Sequence, residues 1–183
     1  MALLLIFIGP LQAAPPLPSW QIVSKDSILA FTATQNDAPV SGTFKKFAGD
    51  IHFDPLNLKD SKVRMVVDIA SLTTAYGEVA DILKTADWFE AKLFPQAIFI
   101  AQHFIQTGDK TYQAKGDLFI KGKNLPVTLT FTLEEYTLKK TRVKGSTTLK
   151  RTLFGIGKGD WSKTDEIRDD VQVNFNLTAV SHS

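Results

Sequence analysis

The chain has 183 residues, enough for one domain with a sizeable core, and its formal net charge is only +2. Because acidic and basic residues are mixed, this near-neutral charge argues against a dedicated nucleic-acid binder. The sequence contains no cysteine, which excludes a disulfide-stapled scaffold, so we expect core burial and closed hydrogen bonding to stabilise the fold.

The N-terminal segment, residues 1–13, is predicted to be a cleaved secretory signal peptide. Residues 1–9 are almost wholly apolar, and small residues and prolines follow at 10–16. This run is too short to cross a bilayer, which favours the apolar part of a signal and hence a periplasmic protein. No Lys or Arg precedes the run, which leaves a translation start further upstream open. A buried N-terminal strand is the alternative interpretation.

Alternation of apolar and polar residues recurs along the chain and predicts antiparallel strands. Short strands are expected at 20–23 and 28–31, followed by a turn at 36–39. From Val40 the apolar phase runs to Phe44, slips at Lys45 and Lys46, and resumes at Phe47. A one-residue slip indicates a bulge or bend, which curls a sheet toward closure. A turn at 54–57 then precedes a strand at 63–69.

A single short helix is predicted at about 77–91, because Val79, Ile82, Leu83 and Ala86 follow helical spacing. Pro95 is expected to stop it. Alternation then resumes in strands at 97–105, 112–121, 125–133, 143–150 and 171–179. About eight strands with one helix insertion predict an all-β antiparallel barrel. A barrel of that size is just filled by side chains or holds one slender ligand.

Strand phase predicts eleven apolar positions that face the barrel interior. The sequence has 13 Phe against three Tyr and three Trp, so this interior face is rich in Phe. Simple core packing is one interpretation, and an elongated ligand-binding lumen is the other. The positions are Phe31, Phe44, Phe47, Met65, Val67, Phe99, Leu118, Val127, Leu129, Phe131 and Phe175.

Residues suited to catalysis or metal binding are scarce. The sequence has no Gly-x-Ser-x-Gly elbow, no cysteine nucleophile and no His-Glu-x-x-His pattern. His52 is in phase with the polar face and His182 lies in the C-terminal tail. His103 is in phase with Phe99 and is the one histidine expected to face inward, where a lone His is more often a core residue than a ligand. We therefore expect a non-enzyme without a metal.

The glycines at 155, 157 and 159 resemble a phosphate loop only superficially, because no helix follows to present its N-terminus to a phosphate. They are expected to serve tight backbone geometry. Cationic residues crowd around this loop, and they predict either a solvated surface or a rim for an anionic head group. The residues assigned to this rim are Lys150, Arg151, Lys158 and Trp161.

Several segments in order resemble the YceI-like family of bacterial polyisoprenoid-binding, lipocalin-like proteins. They extend over about residues 20–180 and include Val40-Ser-Gly-Thr-Phe44, Ile51-His-Phe-Asp-Pro55, Asp87-Trp-Phe-Glu90, Gly116-Asp-Leu-Phe-Ile-Lys-Gly122 and Lys150-Arg-Thr-Leu-Phe-Gly-Ile-Gly157. The resemblance implies a lipocalin-like barrel domain over 20–180, with Phe154 also in the lumen. It further implies a non-catalytic periplasmic carrier whose bound molecule is an isoprenoid quinone, such as ubiquinone, or a polyprenyl lipid, with no other cofactor.

The sequence departs from the family pattern at two places. Residues 79–83 read Val-Ala-Asp-Ile-Leu where many members have Arg-Asp-x-His-Leu, and Asp26 stands where a histidine is common. The Trp-Phe pair at 88–89 resembles a branch associated with cytochrome b561-type membrane proteins. An isoprenoid lipid, a cytochrome b561-type membrane partner and a second copy in a homodimer are therefore the candidate partners, and nucleic acid is not.

Two other classes of protein remain open from the sequence. A barrel enzyme acting on a lipid would need a convergent acid, base or nucleophile, for which the chain offers His103. A small outer-membrane barrel alternates in the same way but turns its apolar face to lipid.

Overall fold

The protein is an all-β structure built on a closed antiparallel barrel of eight strands, as predicted. The structure is a computed structural model and describes residues 16–182, so the predicted signal peptide lies outside the described residues. The elements are β1 (Ser19–Ile22), β2 (Ile28–Gln35), β3 (Ala38–Phe44), β4 (Phe47–His52), β5 (Lys62–Asp68), β6 (Leu72–Thr74), α1 (Gly77–Leu83), β7 (Gln96–Gln106), β8 (Thr111–Ile120), β9 (Lys123–Tyr136), β10 (Lys140–Lys150) and β11 (Asp170–His182). In the described part of the chain, no helix is long and apolar enough to cross a bilayer.

The two ends of the barrel are built differently. At one end, here called the closed end, β1 pairs with both β4 and β11 and completes the ring β1-β4-β5-β7-β8-β9-β10-β11. At the other end, the open end, the first half of β11 pairs with β2, and β3 and β6 extend the sheet beyond it. Within residues 16–182, β6 has no second neighbour in the sheet, so the ring is not completed by strand pairing there.

The open end arises because three strands of the ring are interrupted. The chain bends at Lys45 and Lys46 between β3 and β4, where the sequence predicts a bulge or bend. Backbone hydrogen bonds hold this bend, from Lys45 N to Ser71 O (3.2 Å) and from Asp68 N to Lys46 O (2.9 Å). Short 3₁₀ turns, Ser24–Asp26 and Ile69–Ser71, separate β1 from β2 and β5 from β6. β2, β3 and β6 therefore extend the sheet beyond β11 and are not part of the ring.

The closed end is filled by an aromatic cluster, here called the plug, which consists of Trp20, Phe53, Tyr112 and Phe131 with their neighbours. The ring centroids of Phe53, Tyr112 and Phe131 lie 5.5–5.7 Å from one another. The indole Nε1 of Trp20 donates to Phe53 O at 2.9 Å, which satisfies the buried polar atom of that ring. The side chains of the plug are thus packed against one another as a hydrophobic core.

The helix is shorter than predicted, since α1 ends at Leu83 rather than near residue 91. Residues 84–95, here called the post-helix segment, form turns instead. Thr85 Oγ1 donates to Ile82 O at 2.7 Å, an alternative to continued helix for that carbonyl. Glu90 has a positive φ of 51°, which reverses the chain. Phe89 still reaches the interior, because its N–H bonds to Leu83 O and folds the segment back.

The inward orientation expected for His103 is wrong. β7 and β8 pair without interruption up to Ala101 and Gly116, and the register then shifts before His103 and Lys115. This bulge adds one residue and exchanges the two faces of the strand, so His103 is exposed and Phe104 packs against the plug. In β9, where the register runs unbroken against β8, the alternation predicted for 125–133 is confirmed.

Candidate ligand cavity

An apolar cavity of about 410 Å³ occupies the open end of the barrel. Its wall is formed by the interior faces of the strands, by α1 and the post-helix segment, and by residues 151–169 between β10 and β11, here called the β10–β11 segment. Because α1 and these two segments stand where strand pairing is incomplete, they close the side of the barrel that the sheet leaves open.

Ten of the twelve residues that were assigned to the lumen lie in the cavity wall. They are Phe31, Phe44, Phe47, Met65, Val67, Phe99, Leu118, Leu129, Phe154 and Phe175.

The assignment of the other two residues to the cavity is wrong. Phe131 faces inward as predicted, but it lies in the plug and is 8% exposed. Val127 also faces inward, but it is not part of the cavity wall. It packs between the plug and a second core cluster that includes Ile69 and Phe154. Strand phase predicts the face of a residue but not its height along the barrel axis, and Phe131 lies nearer the closed end than Leu129, which lines the cavity.

Several wall residues were not assigned from the sequence. Val79, Ile82 and Leu83 of α1 line the cavity, as do Trp88 and Phe89 of the post-helix segment. The helical spacing of the three α1 residues was a visible signal of one apolar face, but nothing in a single sequence places that face over a barrel opening.

Arg151 was expected at an exposed rim, but the structure buries it. Its positive charge therefore does not form part of a solvated rim. The side chain is in the cavity wall, but the residue is only 2% exposed. All five N–H donors of its guanidinium are used by backbone carbonyls at 2.8–3.4 Å, namely those of Arg168, Ile156, Gly157, Lys163 and Ile167. Burial lowers the pKa of Arg151, and the charge of Asp169 opposes that shift. This arginine therefore organises the β10–β11 segment and has no N–H left for an anion.

The glycine at 157 is required by this arrangement. Gly157 has a φ of +79°, and a Cβ there would collide with the guanidinium of Arg151. The glycine-rich stretch thus serves tight backbone geometry, as predicted, and allows the segment to wrap around a buried cation.

The other residues of the predicted rim do not form a cationic site with Arg151. Lys150 is exposed, and its Nζ lies 2.5 Å from Asp170 Oδ1, whose hydrogen bond raises the pKa of the lysine. Lys158 is also exposed. Trp161 does line the cavity, and its ring packs on that of Trp88 with centroids 5.7 Å apart.

A second buried cation, Lys121, fastens the two segments that close the cavity. Its Nζ donates to Ala86 O at 2.6 Å and to Gly155 O at 3.1 Å, and lies 4.0 Å from Glu90 Oε2. Burial, followed by the charge of Lys158, lowers the pKa of Lys121. Because Ala86 belongs to the post-helix segment and Gly155 to the β10–β11 segment, one ammonium group joins them.

Among residues 16–182, no group of three His, Cys, Asp or Glu side chains is placed to hold a metal ion. The cavity wall contains one charged residue, Arg151, and that charge is satisfied by carbonyls. The arrangement therefore suits an apolar molecule, held by burial and dispersion.

The fold and cavity define a class, the antiparallel barrels that are plugged at one end and enclose an apolar chamber at the other. A family model for the YceI-like domain matches residues 20–179, and the chain belongs to this family. The resemblance found in the sequence is thereby confirmed.

The relatives of the chain include proteins of known sequence and of known structure. A UPF0312 protein of Pseudomonas putida strain F1 is 31% identical over 139 residues, which cover 73% of this chain and 72% of that protein. The crystal structure of Burkholderia cenocepacia BcnA has 31% identity and a TM-score of 0.82, covering 86% of this chain and 98% of that one. A polyisoprenoid binding domain from Saccharophagus degradans has 12% identity and a TM-score of 0.71, covering 89% and 98%, and shows the fold alone.

Proposed function

We propose that this protein is a periplasmic, non-catalytic carrier of polyisoprenoid lipids, such as ubiquinone or a polyprenyl lipid, and that the lipid chain lies in the cavity. The observation that carries the proposal is the apolar cavity of about 410 Å³ at the open end of the barrel. The fold shared with a polyisoprenoid binding domain from Saccharophagus degradans supports it.

The chemistry of the wall suits a branched hydrocarbon chain. Phe44, Phe89 and Phe31 form a continuous aromatic surface, with ring centroids 5.8 Å apart for Phe31 and Phe44 and 6.1 Å for Phe44 and Phe89. Val171 and Val173 of β11 pack against the same region. Such a surface recognises a chain by shape and dispersion rather than by hydrogen bonds, as an isoprenoid tail requires.

The volume of the cavity sets the length of chain that it encloses. A cavity of roughly 150 Å³ binds benzene, which corresponds to about 25 Å³ per carbon atom. At that rate 410 Å³ accommodates about sixteen carbons, or roughly three isoprene units. A longer polyisoprenoid would place its first units in the cavity and extend the remainder through the open end.

The energetics suit transport rather than storage. Transfer of an isoprenoid chain from water to the cavity is favourable by roughly 0.8 kcal/mol per methylene. Transfer from a bilayer gains almost nothing from hydrophobicity, because lipid tails are equally apolar. A protein of this kind takes up lipid from a membrane and releases it to another without a large barrier from burial.

The two other classes of protein receive no support from the described residues. The lipid-acting enzyme depended on His103, which is exposed on the outer face of β7. A barrel embedded in a membrane carries its apolar side chains on the outside. In β9 the opposite holds, since Thr128, Thr130 and Thr132 face outward while Leu129 and Phe131 face inward.

The periplasmic location rests on the apolar N-terminal segment, and its test is N-terminal sequencing of secreted protein, which should begin near Ala14. An intact Met1 in a cytoplasmic fraction would contradict it. A cytochrome b561-type membrane partner stays a candidate because of the Trp-Phe pair at 88–89, and co-purification tests it. A homodimer also stays a candidate, and analytical ultracentrifugation tests it.

Lipid uptake is tested with two tryptophan substitutions at adjacent positions of β11. Val173 lines the cavity and Asn174 faces solvent, so Val173→Trp removes cavity volume while Asn174→Trp adds the same ring outside. Each protein is incubated with phosphatidylcholine vesicles that contain ubiquinone, separated from them by flotation, and extracted for quantitation. The proposal predicts uptake by the wild type and by Asn174→Trp and loss of uptake by Val173→Trp. Absence of uptake by the wild type, or equal uptake by all three, would contradict it.

A further inference from the structure

We propose that a lateral window in the barrel wall, between β9 and β10, is the passage through which an isoprenoid chain enters and leaves the cavity. The window is defined here by residues 123–129 of β9 and residues 147–150 of β10. The passage rests on the proposed function, and it adds the route by which a long apolar chain reaches the cavity from a membrane.

The first observation is that pairing between β9 and β10 stops before either strand ends. Their last paired residues toward the open end are Thr130 and Ser146, and none of the described residues of the window is paired across it. β9 nevertheless stays paired with β8 as far as Lys123, and β10 stays paired with β11 as far as Lys150. The unpaired part of β10, residues 147–150, spans a height of about 13 Å at the usual rise of a strand.

The second observation concerns what holds the two edges of the window together. Thr147 Oγ1 donates to Thr128 O at 3.0 Å, so a side chain joins the strands where the paired backbone has ended. Pro126, on the β9 edge, has no N–H to donate, and proline is confined largely to strand edges that lack a neighbour. Separation of the strands here breaks the hydroxyl bond but no paired ladder, which costs less than separation of strands that are paired.

The third observation is that inner-face residues beside the window are exposed although they lie outside the cavity wall. Leu125 and Val127 face inward, in phase with Leu129, and neither is part of that wall. Both are half-buried. By contrast, Ala101 and Ala114, which are core residues on strands that stay paired, are 1% and 3% exposed. A gap between β9 and β10 accounts for the exposure of Leu125 and Val127.

The window opens onto the cavity, and its sides are mainly apolar. Leu129, Thr147 and Leu149 stand at its two edges and also line the cavity. Val127 and Leu149 pack with Phe154 in one core cluster. A hydrocarbon chain that crosses between the strands therefore stays in contact with apolar side chains until it reaches the cavity.

The window is framed by contacts that stay in place when its edges separate. The border toward the closed end is the ladder that finishes at Thr130 and Ser146. The other border is Lys121, which precedes β9 and whose Nζ donates at 3.1 Å to Gly155 O, beyond the end of β10. Since the same ammonium also donates to Ala86 O, it holds the segments that close the end of the barrel. The side wall is therefore the route with less to break.

The experiment closes the window with a reversible cross-link. The chain has no cysteine, so the variant Thr128→Cys/Thr148→Cys has thiols only on the two outward-facing edges of the window. A bis-maleimide with a disulfide in its linker joins the two thiols, and a reductant cuts the linker again. Thr132→Cys/Lys144→Cys is the matched control, because these two exposed residues are already paired between the window and the closed end.

Uptake of ubiquinone from phosphatidylcholine vesicles is followed over time by flotation and extraction. The cross-linked window variant should lose uptake, and reductant should restore it, because the edges can then separate again. The cross-linked control variant should take up ubiquinone at the wild-type rate with or without reductant.

A second variant tests the window without a cross-link. Thr147→Val keeps the shape of the side chain but removes the bond to Thr128 O, so uptake should become about 2- to 12-fold faster, the range for one net hydrogen bond. Thr32→Val is the matched control, because it removes a hydroxyl contact with Ser41 between two strands that stay paired. Its uptake rate should equal that of the wild type.

The outcomes separate the passage from the proposed function. Equal uptake by the cross-linked and the reduced window variant, an equal loss in the control variant, or failure of the reagent to join the two cysteines would overturn the passage while leaving the lipid cavity intact. An unchanged rate in Thr147→Val would likewise overturn it. Failure of the wild type to take up ubiquinone would overturn the proposed function and the passage with it.

Discussion

Replacement of Arg151 by methionine tests whether this residue supports the cavity wall or serves as a free surface cation. The wild-type guanidinium makes five hydrogen bonds to the backbone of residues 156–168 from a position that is 2% exposed. Arg151→Met keeps much of the side-chain length but leaves these carbonyls without their donor.

The magnitude follows from opposing contributions. At roughly 1.5–3 kcal/mol for each hydrogen bond from a charged group, five bonds would total about 7–15 kcal/mol. Two effects reduce the loss, because the variant no longer buries a charge and because the exposed part of the β10–β11 segment can open to hydrate its carbonyls. We expect a net loss of about 2–6 kcal/mol in the free energy of unfolding, because the buried carbonyls of Ile156 and Ile167 lose their donor at about 1–3 kcal/mol each.

The assay is equilibrium urea unfolding at neutral pH, with Lys150→Met as the matched control. Lys150 is the adjacent residue, and its ion pair with Asp170 is exposed on both sides, so its removal should leave the midpoint close to that of the wild type. Equal urea midpoints for Arg151→Met and Lys150→Met would refute the reasoning, because they would show that Arg151 stabilises the fold no more than a solvated lysine does.

Three further predictions concern ligand length, the plug and alkaline pH. In a series of isoprenoid ketones, affinity should rise with each added unit up to about three and then level off, because 410 Å³ encloses roughly sixteen carbons; a steady rise to eight units in a titration series would contradict this. Phe131→Ala should cost about 3–5 kcal/mol in urea unfolding yet retain lipid uptake, since the ring fills the plug and not the cavity. Burial, followed by the charge of Asp54, raises the pKa of Tyr136 from 10.0 to about 12. The folded protein then keeps a proton that the unfolded chain loses, so this contribution to stability is complete below pH 10 and is lost as the pH approaches 12. Tyr136→Phe should flatten that part of a Tm-against-pH curve, and an unchanged slope would exclude the assignment.

Where a strand pairs without a change of register, as β9 does with β8, the face of each residue was predictable from the sequence, whereas its depth in the barrel was not. Leu129 and Phe131 share one face of β9, and both were expected inside. Leu129 lines the cavity and Phe131 lies in the plug, because β9 runs from the open end to the closed end. Period-2 alternation carries no information on that axial position.

His103 shows how a local irregularity defeats a periodic pattern. The bulge after Ala101 adds one residue to β7, and every position beyond it changes face. Within β7 neither a glycine nor a proline marks this bulge, and the glycine beside it, Gly116, lies on the partner strand β8. The phase of Phe99 was therefore extended too far.

The burial of Arg151 could not be predicted from the sequence, because the burial of a charged side chain depends on long-range folding. Its hydrogen bonds reach carbonyls as far as Arg168, and a single sequence does not show that the intervening segment folds back onto the guanidinium. The glycine at 157 was the available signal, since its left-handed backbone lets the segment pass close to that group.

The central claim is that the cavity at the open end holds an isoprenoid lipid, and mass spectrometry of natively purified protein tests it most directly. Organic extracts of the wild type and of Asn174→Trp should contain an isoprenoid lipid in near-stoichiometric amount, and extracts of Val173→Trp should lack it. A wild-type protein that carries no such lipid, or a Val173→Trp variant that carries as much as the wild type, would contradict the account.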